Sequence, residues 1–493
     1  MTKISLFYLA TLSALTPTAL AQNASVRQPE NNAVETYSLQ QENHVLKKTV
    51  EQKQRNASLE QQNDNVIRYT GKQLKENPDI LERLLVESLI KLNKPILPVL
   101  IKLYEQVPTR DPSLIEWANA ILLADTNLGK GSTAYQKLIR HFPDNNFIRF
   151  QYANALFYNK NYYDAHQQFS ILLNNSAIEQ DNEVYQQYIH QINELHSWNF
   201  NVQGNFLNDR NLGQTAKPGT VWNLPNERQL IYKSERQHGQ GVYLSVNTDK
   251  KWALPKGQYL LVASGLSGKY YWNNKKYNDM TLDFGAGYGY ANAKMDISLQ
   301  PYVSKRLYGG GLNGGKALKQ YSDTYGGLLS LNYWLTNALK YGAYYNYGYT
   351  HYNDQYNRAN EGHSHYITHS LTYFPDNTQY WNLALDYGIK DAKENTESYH
   401  RKAIRLGWGK QWQNGLITNA ALGYASKKHK DALFFDIRQR DKELTSSISL
   451  GHTALSYKGF TPKLTWTHTR VKSNYVIYQY DKNDVFINIS KSF

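Results

Sequence analysis

Histidines, glycines and clustered cations are the residues whose spacing in this chain could do chemistry. His363-x-His365, with His369 and Glu361, sets three imidazoles and a carboxylate close together in sequence, and these are donor types that hold zinc. They straddle a junction between a loop and a strand, so nothing fixes them on one face; the plainer expectation is an ordinary hairpin with no metal. Gly310-x4-Gly315-Lys316 imitates a phosphate-binding loop. Ala317 stands where Ser or Thr is required, and a strand-like segment follows instead of a helix, so no helix dipole is aimed at a phosphate. A flexible connection is expected there. The 14 His are scattered without a Ser–His–Asp order, and the absence of Cys removes disulfides, thiolate ligands and cysteine nucleophiles. The expectation is no enzyme and no cofactor.

The cations raise a different question. The chain of 493 residues carries a formal charge of +14, and from residue 196 onward 36 Lys and Arg face 21 Asp and Glu. The whole positive excess therefore sits in the carboxyl-terminal three-fifths, which turns attention from nucleic acid to a phosphate-bearing surface. The amino end reads Met1-Thr-Lys3, an apolar stretch from Ile4 to Leu15, then Ala19-Leu20-Ala21. A basic start, an apolar core and a small-x-small site are the parts of a secretory signal peptide, with cleavage expected after Ala21. Residues 22–64 are rich in Gln, Asn and Glu, too polar to offset ordering entropy, and read as a flexible lead-in.

The elements that position everything else come in two kinds. Over 65–195 the apolar period is helical, as in Ile80, Leu84, Leu85, Leu89 and Leu92. Trp117-Ala-Asn-Ala120 and Tyr152-Ala-Asn-Ala155 lie 35 residues apart, each followed by a second helix near Ala134 or Ala165, with four extra residues in the first copy. That spacing is characteristic of tetratricopeptide repeats, whose concave face holds extended peptides or partner proteins. Asn119 and Asn154 occupy the same place in the two copies, and an amide offers both donor and acceptor to a client backbone. With Tyr152 they are the expected client contacts; a structural or solvated role for the two amides stays open.

From 196 to 493 the period becomes two. Met280, Leu282, Phe284, Ala286, Tyr288 and Tyr290 alternate with small or polar residues, and 339–349 and 381–389 do the same. Such strands in long succession, rimmed by the aromatic side chains of a chain with 41 Tyr and 10 Trp, describe a transmembrane β-barrel. About 14 strands are expected, an even number. Long polar connections (208–239, 307–318, 353–363, 390–398, 427–442 and 473–483) alternate with tight turns (254–257, 291–294, 336–337, 375–378 and 413–415). Barrels have short periplasmic turns and long outer loops, so the helical repeats belong in the periplasm. Lys427, Lys428 and Lys430, with Arg438 and Arg440, are then expected on one outer loop, facing lipopolysaccharide phosphates or guiding a substrate. Ile487, Ile489 and the terminal Phe493 form an alternating apolar end that resembles a barrel-insertion signal.

Arg438-Gln-Arg-Asp441-Lys-Glu443 entering the twelfth barrel strand, Gly459-Phe-Thr-Pro462 leading to Arg470, Ser473-Asn474 and Tyr478-Gln-Tyr480 carry a further resemblance. With the signal, the repeats and the barrel, the chain resembles the surface lipoprotein assembly modulators (Slam) of Gram-negative bacteria. The resemblance implies an outer-membrane translocator that carries lipoproteins, or related soluble haem- or metal-acquisition proteins, from the periplasm to the cell surface. The partners expected are a client lipoprotein or haemophore, outer-membrane lipid including lipopolysaccharide, the barrel-assembly machinery and periplasmic chaperones, but no nucleic acid. An exopolysaccharide-exporting porin with a tetratricopeptide domain is the alternative; it would normally carry a longer repeat array.

Overall fold

The computed structural model describes residues 69–492, apart from 224–228, 354 and 435. The signal peptide expected at 1–21, the lead-in at 22–64 and Phe493 lie outside the described residues.

Eight helices come first among the described residues. They are α1 (Gly71–Glu76), α2 (Pro78–Ile90), α3 (Leu97–Tyr104), α4 (Pro112–Thr126), α5 (Leu128–His141), α6 (Asn146–Tyr158), α7 (Tyr162–Asn175) and α8 (Glu179–Leu195). Their starts follow capping chemistry. Thr70 and Gln73 form a reciprocal capping box on α1, and the Asp111, Asn127 and Asn145 side chains accept the first free amides of α4, α5 and α6. Leu81, Leu85 and Leu89 of α2 enter the core fully, while Leu92 falls beyond the helix end at φ +55° and is exposed. The expected apolar stripe therefore stops one turn early.

The helices pair as repeats, and the structure explains the four extra residues of the first copy. Ala165 is buried in the first turn of α7; its counterpart in α5 is Gly131, not Ala134. A Cβ on Gly131 would lie 2.4 Å from the Ala124 Cα, so only glycine lets α4 and α5 approach this closely. Gly131 and Ala165 are 34 residues apart, the tetratricopeptide period. Helix α8 closes the stack by laying Tyr188 flat against Phe169, ring centroids 4.5 Å apart.

The strands follow. β1 (Asn199–Asp209) is separated from β4 (Gly239–Ala253) by a long connection that holds a small hairpin, β2 (Thr220–Asn223) and β3 (Gln229–Tyr232). Then come β5 (Gln258–Tyr271), β6 (Asp279–Ala291), β7 (Met295–Tyr308), β8 (Lys319–Trp334), β9 (Leu339–Tyr352) and β10 (Gly362–Tyr373). β11 (Gln379–Ala392), β12 (Tyr399–Gln411), β13 (Leu416–Phe434), β14 (Ile437–His452), β15 (Thr461–Ser473) and β16 (Tyr480–Ser492) complete the set. β1 and β4–β16 close into one antiparallel barrel of 14 strands. In β11 the outward residues Trp381, Leu383, Leu385 and Tyr387 are exposed, whereas the inward Tyr380, Ala384 and Asp386 are buried. Apolar residues face out and polar ones in, the reverse of a water-soluble sheet.

Closure is uneven. β1 pairs with β4 over all eleven of its residues, Asn199–Asp209, but with β16 over five, Asn201–Asn205. Beyond that point the seam is held by side chains, with the Lys482 ammonium of β16 lying 2.7 Å from Asp209 and 3.1 Å from Asp484.

Candidate functional site

The repeat domain meets the barrel at one end of the lumen, and a connection of the barrel itself lies at the other. At the end of the tight turns, the α6–α7 turn Asn159-Lys160-Asn161 sits on two barrel turns. The Ala293 amide donates to Asn159 Oδ1 at 3.3 Å, and the Lys256 amide donates to the Asp164 carboxylate at 2.9 Å. Gly257, at φ +77°, meets Asn161 so closely that a Cβ there would lie 2.7 Å from Asn161 Oδ1. Lys160 forms the tip at φ +62°. Burial pushes its ammonium pKa below the usual lysine range, a pull only partly offset by Asp296 on β7 and reinforced by Lys251 on β4. The repeat domain therefore places a cation at the inner rim of the barrel. This junction joins segments far apart in sequence, and no local pattern announces it.

Along the wall, lumenal cations find acids or ring faces. Lys251 lies 3.4 Å from Asp296 and 4.1 Å above the Tyr259 ring, whose hydroxyl donates to Asp296. Arg405 makes two hydrogen bonds of 2.8 Å to Asp386; Arg401 reaches Glu443, and Arg306 reaches Asp279. Buried acceptors remain besides. Both carboxylate oxygens of Asp283, Asn247 Oδ1 and Gln300 Oε1 have no donor among the described residues. A wall of paired charges and spare acceptors provides hydrogen bonds to a polypeptide beside a small apolar cluster of Tyr259, Leu261, Ala291 and Leu328.

At the far end, residues 216–222 of the β1–β4 connection lean across the seam. Trp222 packs on Tyr475 with ring centroids 5.0 Å apart, and the Ala216 amide donates to the Ile477 carbonyl at 3.0 Å. The lumen is thus bracketed by a helical turn at one end and a folded loop at the other.

Several expected residues fall elsewhere. Tyr152 is buried in the repeat core, and burial holds its phenol pKa up at about 12, so it is no surface contact. Asn119 is exposed on α4; Asn154 on α6 is half-buried, and its Oδ1 has no donor among the described residues. A residue missed from sequence is Gln151, buried beside them. Its side chain accepts from Trp117 Nε1 at 2.7 Å and Tyr135 Oη at 3.2 Å and donates to the Leu89 carbonyl at 2.8 Å, tying four helices together. Its polar type hides this role from any apolar pattern.

The basic outer loop is not a loop. β13 and β14 run past their neighbours, the one to Phe434 and the other from Ile437, so the expected connection 427–442 is mostly strand. Lys427 points inward over the Tyr399 ring at 4.3 Å, Lys430 pairs with Asp391, and Lys428, Arg438 and Arg440 are exposed. Beyond the membrane both faces of a strand meet water, so the apolar alternation that marks strands disappears. The histidines do not converge either. His363, His365 and His369 each hydrogen-bond through Nδ1 to their own tyrosine, Tyr347, Tyr345 and Tyr341, at 2.7–2.8 Å. Glu361 takes Tyr349 and His351 instead, and among the described residues no group of acids and imidazoles could hold a metal ion. Gly310–Lys316 lies in the β7–β8 connection and leads into β8, a strand. Ile487 and Ile489 face outward on β16.

Comparison with known proteins supplies the family. Residues 198–493 match the family model described as surface lipoprotein assembly modifier, and 67–169 match that of its N-terminal tetratricopeptide repeats. Surface lipoprotein assembly modifier 1 of Haemophilus influenzae is 33% identical over 493 residues, 100% of this chain and 99% of that protein. Surface lipoprotein assembly modifier 2 of the same organism is 32% identical over 87% of this chain and 88% of its own. The hemophilin secretion modulator of Acinetobacter baumannii is 21% identical over 85% and 87% respectively.

Proposed function

The chain belongs to the surface lipoprotein assembly modifier family, and from that premise we propose that it delivers client proteins from the periplasm to the cell surface or exterior. The clients are surface lipoproteins or related haem- and metal-acquisition proteins, a range supported by the names of its relatives. The observation that carries the reading is the junction: the repeat domain grips the barrel at 254–257 and 291–294 through its own α6–α7 turn. A peptide gathered on the repeats is therefore released next to the lumenal opening. Exposed Asn119 offers an amide to a client backbone, and Asn154 holds the same place on the first helix of the second repeat.

A barrel of 14 strands is narrower than the large porins, and its wall is crowded with paired side chains. The client therefore travels unfolded or strand by strand. The test is co-expression in a heterologous Gram-negative host with the lipoprotein or haemophore encoded beside this gene. The client should reach the outside only when this chain is present; equal export in its absence overturns the reading. Asn119→Ala with Asn154→Ala should lower delivery while the barrel still inserts, and unchanged display removes the two amides from the site.

A further inference from the structure

One sector of the barrel's outer wall gathers several cations. Reading the register across β12–β15, Lys402 faces Ser426, Ser426 faces Lys442, and Lys442 faces Lys472. One level farther toward the loops, His400 faces Lys428 and Lys428 faces Arg440. One level nearer the middle, Ile404, Tyr424, Leu444 and Arg470 stand side by side. Lys402, Lys428, Arg440, Lys442, Arg470 and Lys472 are all exposed, and none forms an ion pair with a described residue. Lys402 rests 5.8 Å from the Tyr387 ring, and two acids border the patch: Asp481, opposite Arg470, and Asp391, which pairs with Lys430.

Like charges set directly opposite each other on paired strands destabilise the sheet. Here two such pairs, Lys428 with Arg440 and Lys442 with Lys472, lie side by side. The wall across the barrel is built differently at the same height: Lys305 faces Asp323, Asp323 faces His351, and His351 lies 2.7 Å from Glu361. Repulsion confined to one sector needs an anion from outside the chain. The level is informative too. Below the cations the outward residues are Leu406, Leu422, Ser446 and His468, then Trp408, Ala420, Ile448 and Trp466, so the apolar band that meets acyl chains begins at once on β12 and β13 and one level lower on β14 and β15. The cations thus stand where headgroup phosphates of the outer leaflet lie, and Lys and Arg bind phosphate through charge-assisted hydrogen bonds.

We propose that the outer wall of β12–β15 is a binding site for the phosphorylated glucosamine headgroup of lipopolysaccharide. One phosphate is held between Lys428 and Arg440 and the other between Lys442 and Lys472, with Lys402 and Arg470 at the margins. This site does not depend on client export and can stand or fall without it.

The test uses the full chain in an uncharged detergent with diphosphoryl lipid A as the probe. A variant carrying K428Q, R440Q, K442Q and K472Q should bind at least about ten-fold more weakly, and K305Q on the other wall should bind as the parent does. Phosphatidylglycerol should bind the parent weakly. Without lipid A the four-fold variant should unfold at a higher temperature than the parent, because its repulsion is gone; lipid A should then raise the parent's temperature alone. The double variant K442Q/K472Q gives an intermediate loss and serves if the four-fold variant fails to fold. Undiminished binding in the variants, an equal loss in K305Q, or equal binding of phosphatidylglycerol each overturns the proposal.

Discussion

The repeat domain and the barrel put the same residue types on opposite sides. Leu81, Leu85 and Leu89 are completely buried between helices, whereas Leu244, Leu385 and Val485 stand outward on the barrel wall, the last of them 63% exposed. Conversely Asp386 and Asp441 are enclosed within the barrel, while the acids of the helices lie mostly on the surface. Leucine has not changed its chemistry; its surroundings have. In the helices the hydrophobic effect collects it inside, and on the barrel wall hydrocarbon receives it outside. Burial therefore reports stability contributions in the first region and polar pairing in the second.

The sharpest way to break this comparison is a charge in each place. Leu85→Asp should cost about 5 kcal/mol and unfold the repeats, because an isolated carboxylate in an apolar core has no partner. Limited proteolysis should then release the barrel alone. Asp386→Ala is the mirror experiment. It leaves Arg405 without its two hydrogen bonds and should cost about 3 kcal/mol, read as a lower temperature for the heat-dependent gel shift of the barrel. If Asp386→Ala is silent, the lumen is wetter than its ion pairs imply.

Acid sharpens the comparison at the junction. His196 follows α8, its Nδ1 lying 2.7 Å from the Ile192 carbonyl. Burial lowers its pKa in the folded protein; the Ile192 hydrogen bond opposes this, and Lys251, His166 and Lys250 add to the lowering. Below the ordinary imidazole value of about 6.5, the unfolded chain takes up a proton that the folded one resists. Stability should therefore fall as pH drops from there toward the folded pKa, by up to about 1.4 kcal/mol per pH unit. His196→Gln should flatten the dependence in a thermal-unfolding series. The smallest effect belongs to the lipid wall: Leu244→Ala should change barrel stability by less than about 1 kcal/mol, since lipid fills the space that a core would leave empty.

Sequence alone conveys the barrel wherever one face meets lipid and the other meets the lumen, as in β6, β9 and β11. It fails at the ends of β13 and β14, where water on both sides lets Lys427 and Lys428 look like a loop. In the repeats, the Trp117 and Tyr152 motifs locate the first helices, but the small residue that matters in the second is Gly131. Of the candidate site, Asn119 and Asn154 are visible as a repeated amide. Gln151 and Lys160 are not, since one hides its polarity in the core and the other acts only once two distant segments have met.

The short β1–β16 ladder has a consequence for the order of assembly. Every other neighbouring pair in the barrel is joined by a connection of about 30 residues or fewer, whereas Asn201 meets Ser492 across about 290 residues. Joining ends so distant costs chain entropy that grows only slowly with length, yet the return is five paired residues, so this contact has the least to offset its closure. Ring closure is accordingly the slowest step to gain and the first to be lost, and it cannot begin until the carboxyl-terminal strand has been supplied. A chain truncated before β16 would hold its meander of hairpins with both edges unpaired, and in hydrocarbon such edges are untenable.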